Sequence, residues 1–128
     1  KFINYLLKLA NSSIDISDGL VNDLNKMINK QNFSFHIFEE KIPVSKTLNQ
    51  LLKIKKFKKI DITSKGDDYQ ILFTASPIKS RIINKISKKT GIKITKIGKI
   101  ISGKNRCKII NLKNKQIEAK NIGYIHQF

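Results

Sequence analysis

The 128-residue chain holds one cysteine, two prolines, six glycines and no tryptophan, and nine acidic residues stand against 26 basic ones. A single cysteine, Cys107, rules out an internal disulfide and any cage of thiolates around a metal. No apolar run approaches the ~20 residues that a helix needs to cross a bilayer. No leader-like segment precedes the first patterned stretch, so the expectation is an intracellular, cytoplasmic protein with no membrane attachment. Repeats and Gly/Ser linkers are also missing. At this length, one domain with a true hydrophobic core is expected.

What is abundant is lysine. The formal charge is +17, a balance that normally points to nucleic acid or another polyanion. The lysines, however, are spread over nearly every segment, and arginine, the better phosphate fork, occurs only at Arg81 and Arg106. Together with the wealth of Ile and Asn, this reads as a compositional bias more than a selected polyanion surface. A basic nucleic-acid-binding domain is kept as the alternative from a different functional class.

Patterning along the chain alternates between the two periods of regular structure. Residues 2–10 read as the end of a helix. SIDI then alternates with period two as a short strand that sets Asp15 opposite Ile14 and Ile16. Ser17 is expected to N-cap the following helix, with Asp18 in its first turn and Leu20, Leu24, Met27 and Ile28 on its apolar side. FSFHIF (33–38) predicts a strand, and residues 45–53 a helix. Tyr69 to Ala75 predicts a strand buried on both faces.

Pro77, the isoleucines at 78, 82, 83 and 86, and Gly91 predict a helix with its stop signal. IKITKIGKII (92–101) predicts a long strand, and residues 107–119 a β-hairpin turning near Asn114. Strands alternating with helices imply an α/β or α+β domain, a single mixed β-sheet packed by helices. Three other residues read as structural: His36 within a strand, His126 without a base or nucleophile beside it, and Cys107 as a small buried side chain.

Four of the nine acids fall in two polar stretches next to strands: Asp15 and Asp18, and Asp67 and Asp68. Oxygen ligands at strand–helix junctions suit Mg²⁺, which is usually shared with substrate phosphates and water. A helix N-terminus nearby would favour an anion. On spacing alone two readings stay open: a metal-assisted phosphoryl-transfer site, or helix caps and a turn with no chemistry.

The stretches SSIDISDGLVNDL and KGDDYQILFTA and the closing GYIHQF, in that order, span residues 12–128. They resemble the C-terminal domain of the thiamine-monophosphate kinase family, within the superfamily named after aminoimidazole ribonucleotide synthetase. The resemblance implies that Asp15 and Asp18 ligate Mg²⁺, that Ser17 contacts ATP, and that Asp67 and Tyr124 bind thiamine phosphate. It implies transfer of the γ-phosphoryl of ATP to thiamine phosphate, giving thiamine diphosphate. It further implies that residues 1–128 form a C-terminal domain whose N-terminal ATP- and metal-binding partner lies outside this chain, and that the whole protein is a homodimer. A chain that starts at Lys1, already inside a helical pattern, fits a piece of a longer protein. Another ATP-dependent enzyme of the same superfamily is the nearer alternative. Three positions depart from the family pattern: Lys65 replaces a glycine, Gln70 a glutamate and Ile125 an aspartate.

Overall fold

A computed structural model of the chain describes residues 2–29, 31–55, 57–65 and 70–118. Its elements in chain order are α1 (Phe2–Leu9), β1 (Ser12–Asp15), α2 (Leu20–Ile28), β2 (Phe33–Phe38), α3 (Lys46–Lys55) and α4 (Lys59–Thr63). There follow β3 (Ile71–Thr74), α5 (Ser80–Thr90), β4 (Gly98–Ser102), β5 (Lys108–Ile110) and β6 (Gln116–Ile117). The fold is a mixed α/β arrangement, as the alternating patterns implied.

The strand β2 organises the core. Its period-two alternation sends Phe35 and Ile37 inward, 2% and 3% exposed, while His36 between them stays half-buried. It pairs antiparallel with β4 on one edge and parallel with β5 on the other, and β5 continues antiparallel into β6. The resulting order is β4-β2-β5-β6. The β5–β6 hairpin turns where expected, with Asn114 in the left-handed region at φ 55°.

Against this sheet lies α2, whose Leu20, Val21 and Leu24 join Ile16, Phe35, Ile37, Ile42, Ile60 and Ile109 in one apolar cluster. Burial of this kind contributes roughly 25 cal/mol per Å² and is what holds so polar a chain together. The helix α5 stops as its sequence dictates, since Gly91 follows it at φ 71°, a conformation that side chains with a Cβ resist. Lys79 donates to the carbonyls of Lys8 and Leu9 at 3.0 and 3.2 Å, so its ammonium satisfies the open C-terminus of α1.

Several expectations need correction. Among the described residues there are two sheets, since β1 and β3 form a separate antiparallel pair. The strand β3 is not buried on both faces: Ile71 is half exposed, because a two-stranded ribbon covers little of its own surface. Residues 92–97 alternate but form no strand, because β2 is used up opposite 98–102. The short helix α4 went unread in the sequence. Cys107 is exposed and precedes β5, so it is not the buried residue its type suggested. On the α5 side, Ile86 is buried but Ile78 and Ile82 face outward.

Candidate functional site

The site grows from the end of β1. The ladder with β3 runs from Ser12 opposite Thr74 to Asp15 opposite Ile71, and the Ile16 amide adds one more bond to the Gln70 carbonyl at 2.8 Å. Asp15 therefore stands, exposed, at the last rung. Among the described residues its carboxylate has no hydrogen bond or ion pair. Ile16 points into the core at 8% exposure, and the chain then turns through Ser17, Asp18 and Gly19 into α2.

That turn is not capped as its sequence suggested. Ser17 is not the N-cap; Gly19 occupies that position, at φ 102° and ψ 151°, with no side-chain cap bond. A side chain there is excluded twice over. The positive φ is costly for any residue with a Cβ, and a Cβ on Gly19 would lie 2.3 Å from the carbonyl oxygen of Ser64.

The missing cap comes from inside the helix. Asp23, fully buried, accepts the amide N–H of Ser17 at 2.9 Å and that of Asp18 at 3.0 Å on the same Oδ2. Its other oxygen accepts from Lys26 Nζ at 2.8 Å, and the same ammonium pairs with the Asp18 carboxylate. Asp18 foremost, and then Asp23, hold the Lys26 ammonium's pKa above its ordinary value of 10.5 by hydrogen bonding, against a small opposing desolvation. Asp23 was not recognised as a site residue from the sequence, although one signal was there. It occupies the helical stripe of Leu20, Leu24 and Met27, where an unpartnered carboxylate would be costly.

Both described flanks of the second acidic stretch reach the same turn. Ser64, fully buried at the end of α4, abuts Gly19 on one side, and Gln70 bonds to Ile16 on the other. Both flanks of residues 66–69 thus meet the turn that carries Asp15, Ser17 and Asp18. Ser64 Oγ is buried without a hydrogen-bond partner among the described residues, an unusual state for a hydroxyl. Asp67 and Tyr124, the candidate substrate residues, lie outside the described residues, as does His126.

Carboxylate oxygens on a strand end and the adjoining turn are the donor type that Mg²⁺ takes, and Asp15 is open to solvent. Among the described residues, no group of three or more His, Cys, Asp or Glu is arranged to hold a metal ion. The donor set therefore fits a cation that draws the rest of its shell from phosphate, water or further carboxylates. It does not form a closed protein cage.

Comparison with known proteins agrees with this architecture. Residues 5–109 match the family model described as AIR synthase related protein, C-terminal domain, and the chain belongs to that family. Its curated relatives narrow the resemblance to one enzyme. The chain is 36% identical over 121 residues to the thiamine-monophosphate kinase of Buchnera aphidicola subsp. Schizaphis graminum, covering 94% of this chain and 37% of the relative. It is 38% identical over 76 residues to that of Aquifex aeolicus, covering 57% of this chain and 24% of the relative.

Solved structures point the same way. The thiamine-monophosphate kinase from Stenotrophomonas maltophilia K279a matches 81% of this chain and 32% of its own, with a TM-score of 0.69 and 27% identity. A structure described as AaThiL complexed with AMPPCP and TMP matches 97% of this chain and 37% of its own, with a TM-score of 0.64 and 26% identity. The chain spans about a third or less of the length of these relatives.

Proposed function

We propose that this chain is the C-terminal domain of a thiamine-phosphate kinase, which in the whole protein transfers the γ-phosphoryl of ATP to thiamine phosphate and yields thiamine diphosphate. The observation that carries the reading is the contact that the described flanks of the second acidic stretch make with the turn. Ser64 at Gly19 and Gln70 at Ile16 bring both flanks of residues 66–69 against the turn that bears Asp15, Ser17 and Asp18. The curated relatives and the neighbour complexed with AMPPCP and TMP support the choice of kinase within the family.

In this reading Asp15 and Asp18 hold Mg²⁺, and Ser17 contacts the nucleotide beside the positive end of α2. When bound, Mg²⁺ neutralises charge on the phosphoryl oxygens. Asp67 and Tyr124 receive the thiazolium, which is cationic and planar and suits a carboxylate and an aromatic face. No covalent nucleophile is needed, because direct in-line transfer works by positioning and charge neutralisation. A preceding domain supplies the remaining metal ligands and nucleotide contacts, the whole protein is a cytoplasmic homodimer, and no nucleic acid takes part.

The test separates substrate recognition from nucleotide chemistry. In the full-length protein that carries this domain, Asp67→Asn and Tyr124→Ala are each expected to raise the KM for thiamine phosphate by roughly 2- to 30-fold, from the loss of ~0.5–2 kcal/mol. The KM for ATP should barely move. Asp15→Asn should instead raise the Mg²⁺ requirement and lower turnover. Equal losses for both substrates in the first two variants, or wild-type rates at low Mg²⁺ in the third, would sink the assignments.

A further inference from the structure

We infer that Asp23 is a positioning residue, whose buried carboxylate sets the turn that presents Asp15, Ser17 and Asp18 to a divalent cation. The inference rests on the metal reading above and adds a residue to it.

The reasoning starts from what a carboxylate costs inside a protein. Unpaired, it is among the least tolerable groups in an apolar stripe, and a leucine at position 23 would serve the packing of α2 at least as well. Asp23 is nonetheless fully buried, and two of its hydrogen bonds go to backbone amides of the candidate turn. A single oxygen, Oδ2, accepts the successive amides of Ser17 and Asp18 at 2.9 and 3.0 Å. Two adjacent peptide N–H groups converging on one atom fix the orientation of both peptides. The directions in which the Ser17 and Asp18 side chains leave the turn are fixed with them.

These bonds are charge-assisted and hence stronger than a neutral acceptor would provide. The second oxygen is held by Lys26 at 2.8 Å, and the same ammonium reaches the Asp18 carboxylate. Lys26 thus ties the clamp to the very side chain the clamp orients. When a divalent cation takes the Asp18 carboxylate, Lys26 can give up that contact and keep Asp23. The turn then holds its shape while its charge partner changes. Gly19 makes the device possible, since only a residue free to adopt φ 102° lets the chain enter α2 beneath this carboxylate with Ser64 so close.

The experiment uses the isotope-labelled chain, with amide hydrogen exchange and line broadening by Mn²⁺ as readouts that need no turnover. In the wild type, Mn²⁺ should broaden the amides of residues 15–18 first. In Asp23→Asn, the Ser17 and Asp18 amides should exchange about tenfold faster, and half-broadening should need roughly fivefold more Mn²⁺, as two charge-assisted bonds become neutral ones. The amides of β2 and β5 should keep their protection. Unchanged exchange and unchanged Mn²⁺ response in this variant would overturn the inference.

If Asp23→Asn loses protection throughout, the double variant Asp23→Asn with Lys26→Met decides, since no ammonium then faces the amide. The same two selective changes are expected of it, and their absence overturns the role. Failure of Mn²⁺ to broaden residues 15–18 in the wild type would instead refute the metal reading itself, and the positioning role would fall with it.

Discussion

Within α2, the stripe Leu20, Asp23, Leu24 and Met27 holds three apolar side chains and one carboxylate, and the carboxylate explains the turn before the helix. The sequence pattern correctly implied that Leu20 and Leu24 are buried, and it drew attention to Asp15 and Asp18 because acids are rare in this chain. It misassigned the cap, because Ser17 before an amphipathic run resembles an N-cap in isolation. The N-cap position falls at Gly19, where the positive φ and the close Ser64 carbonyl, 45 residues further along the chain, leave no room for a side chain. Long-range contact of that kind leaves no local trace.

The Lys26 network gives a pH dependence. Because its partners raise the folded-state pKa above 10.5, the protonated lysine stabilises the fold fully below that value, and the contribution is lost as pH rises through the folded pKa. The stability of the wild type, measured by urea denaturation from about pH 9 to about pH 12, should therefore fall more steeply than that of Lys26→Met. Parallel curves would show that the ion pairs contribute nothing measurable, as solvent-screened pairs sometimes do.

At the level of elements, β2 and the β5–β6 hairpin were legible because alternation and a turn residue at Asn114 are local properties. Residues 92–97 were not, because alternation states only that a segment could be a strand. Whether it becomes one depends on a partner edge. Five of the six residues of β2 pair with β4, from Phe33 opposite Ser102 to Ile37 opposite Gly98, and beyond them only the bond from the Phe38 amide to the Ile97 carbonyl remains. The short helix α4 shows the reverse. Only five residues long and too short to show a helical period, it still buries Ile60 completely in the core.

The aromatic residues of β2 provide a test of this picture. Phe35 is 2% exposed in the middle of the strand, whereas Phe33 is 43% exposed at its start. Phe35→Ala should cost about 3–5 kcal/mol in urea denaturation, from lost transfer energy plus the cavity left behind. That is a large share of the ~5–15 kcal/mol by which such domains are stable. Phe33→Ala should cost under about 1 kcal/mol. Comparable losses from the two would mean that the core does not centre on β2.

For the whole molecule, the charge of +17 raised the question of a polyanion partner, yet lysines occur in α1, α2, α3, α4 and α5 alike and do not define one face by sequence. This chain spans 37% of the Buchnera relative. Phosphoryl transfer from ATP needs Mg²⁺ held against a triphosphate with several negative charges. Among the described residues no group of three potential ligands is arranged around a metal, and of the two carboxylates on the turn one already pairs with Lys26. Asp67, outside the described residues, is assigned to the thiazolium and would add no ligand. One wall of carboxylates can hold a cation loosely, but it cannot enclose a nucleotide and its metals.

The purified 128-residue chain, given ATP, thiamine phosphate and Mg²⁺, is therefore expected to form no thiamine diphosphate above a protein-free blank, while the full-length protein that carries it does so. Chromatographic separation of the thiamine phosphates after long incubation checks this directly. Turnover by the 128-residue chain alone would show that the ligands and nucleotide contacts lie within it, and the assignment of a catalytic half to another domain would have to be abandoned.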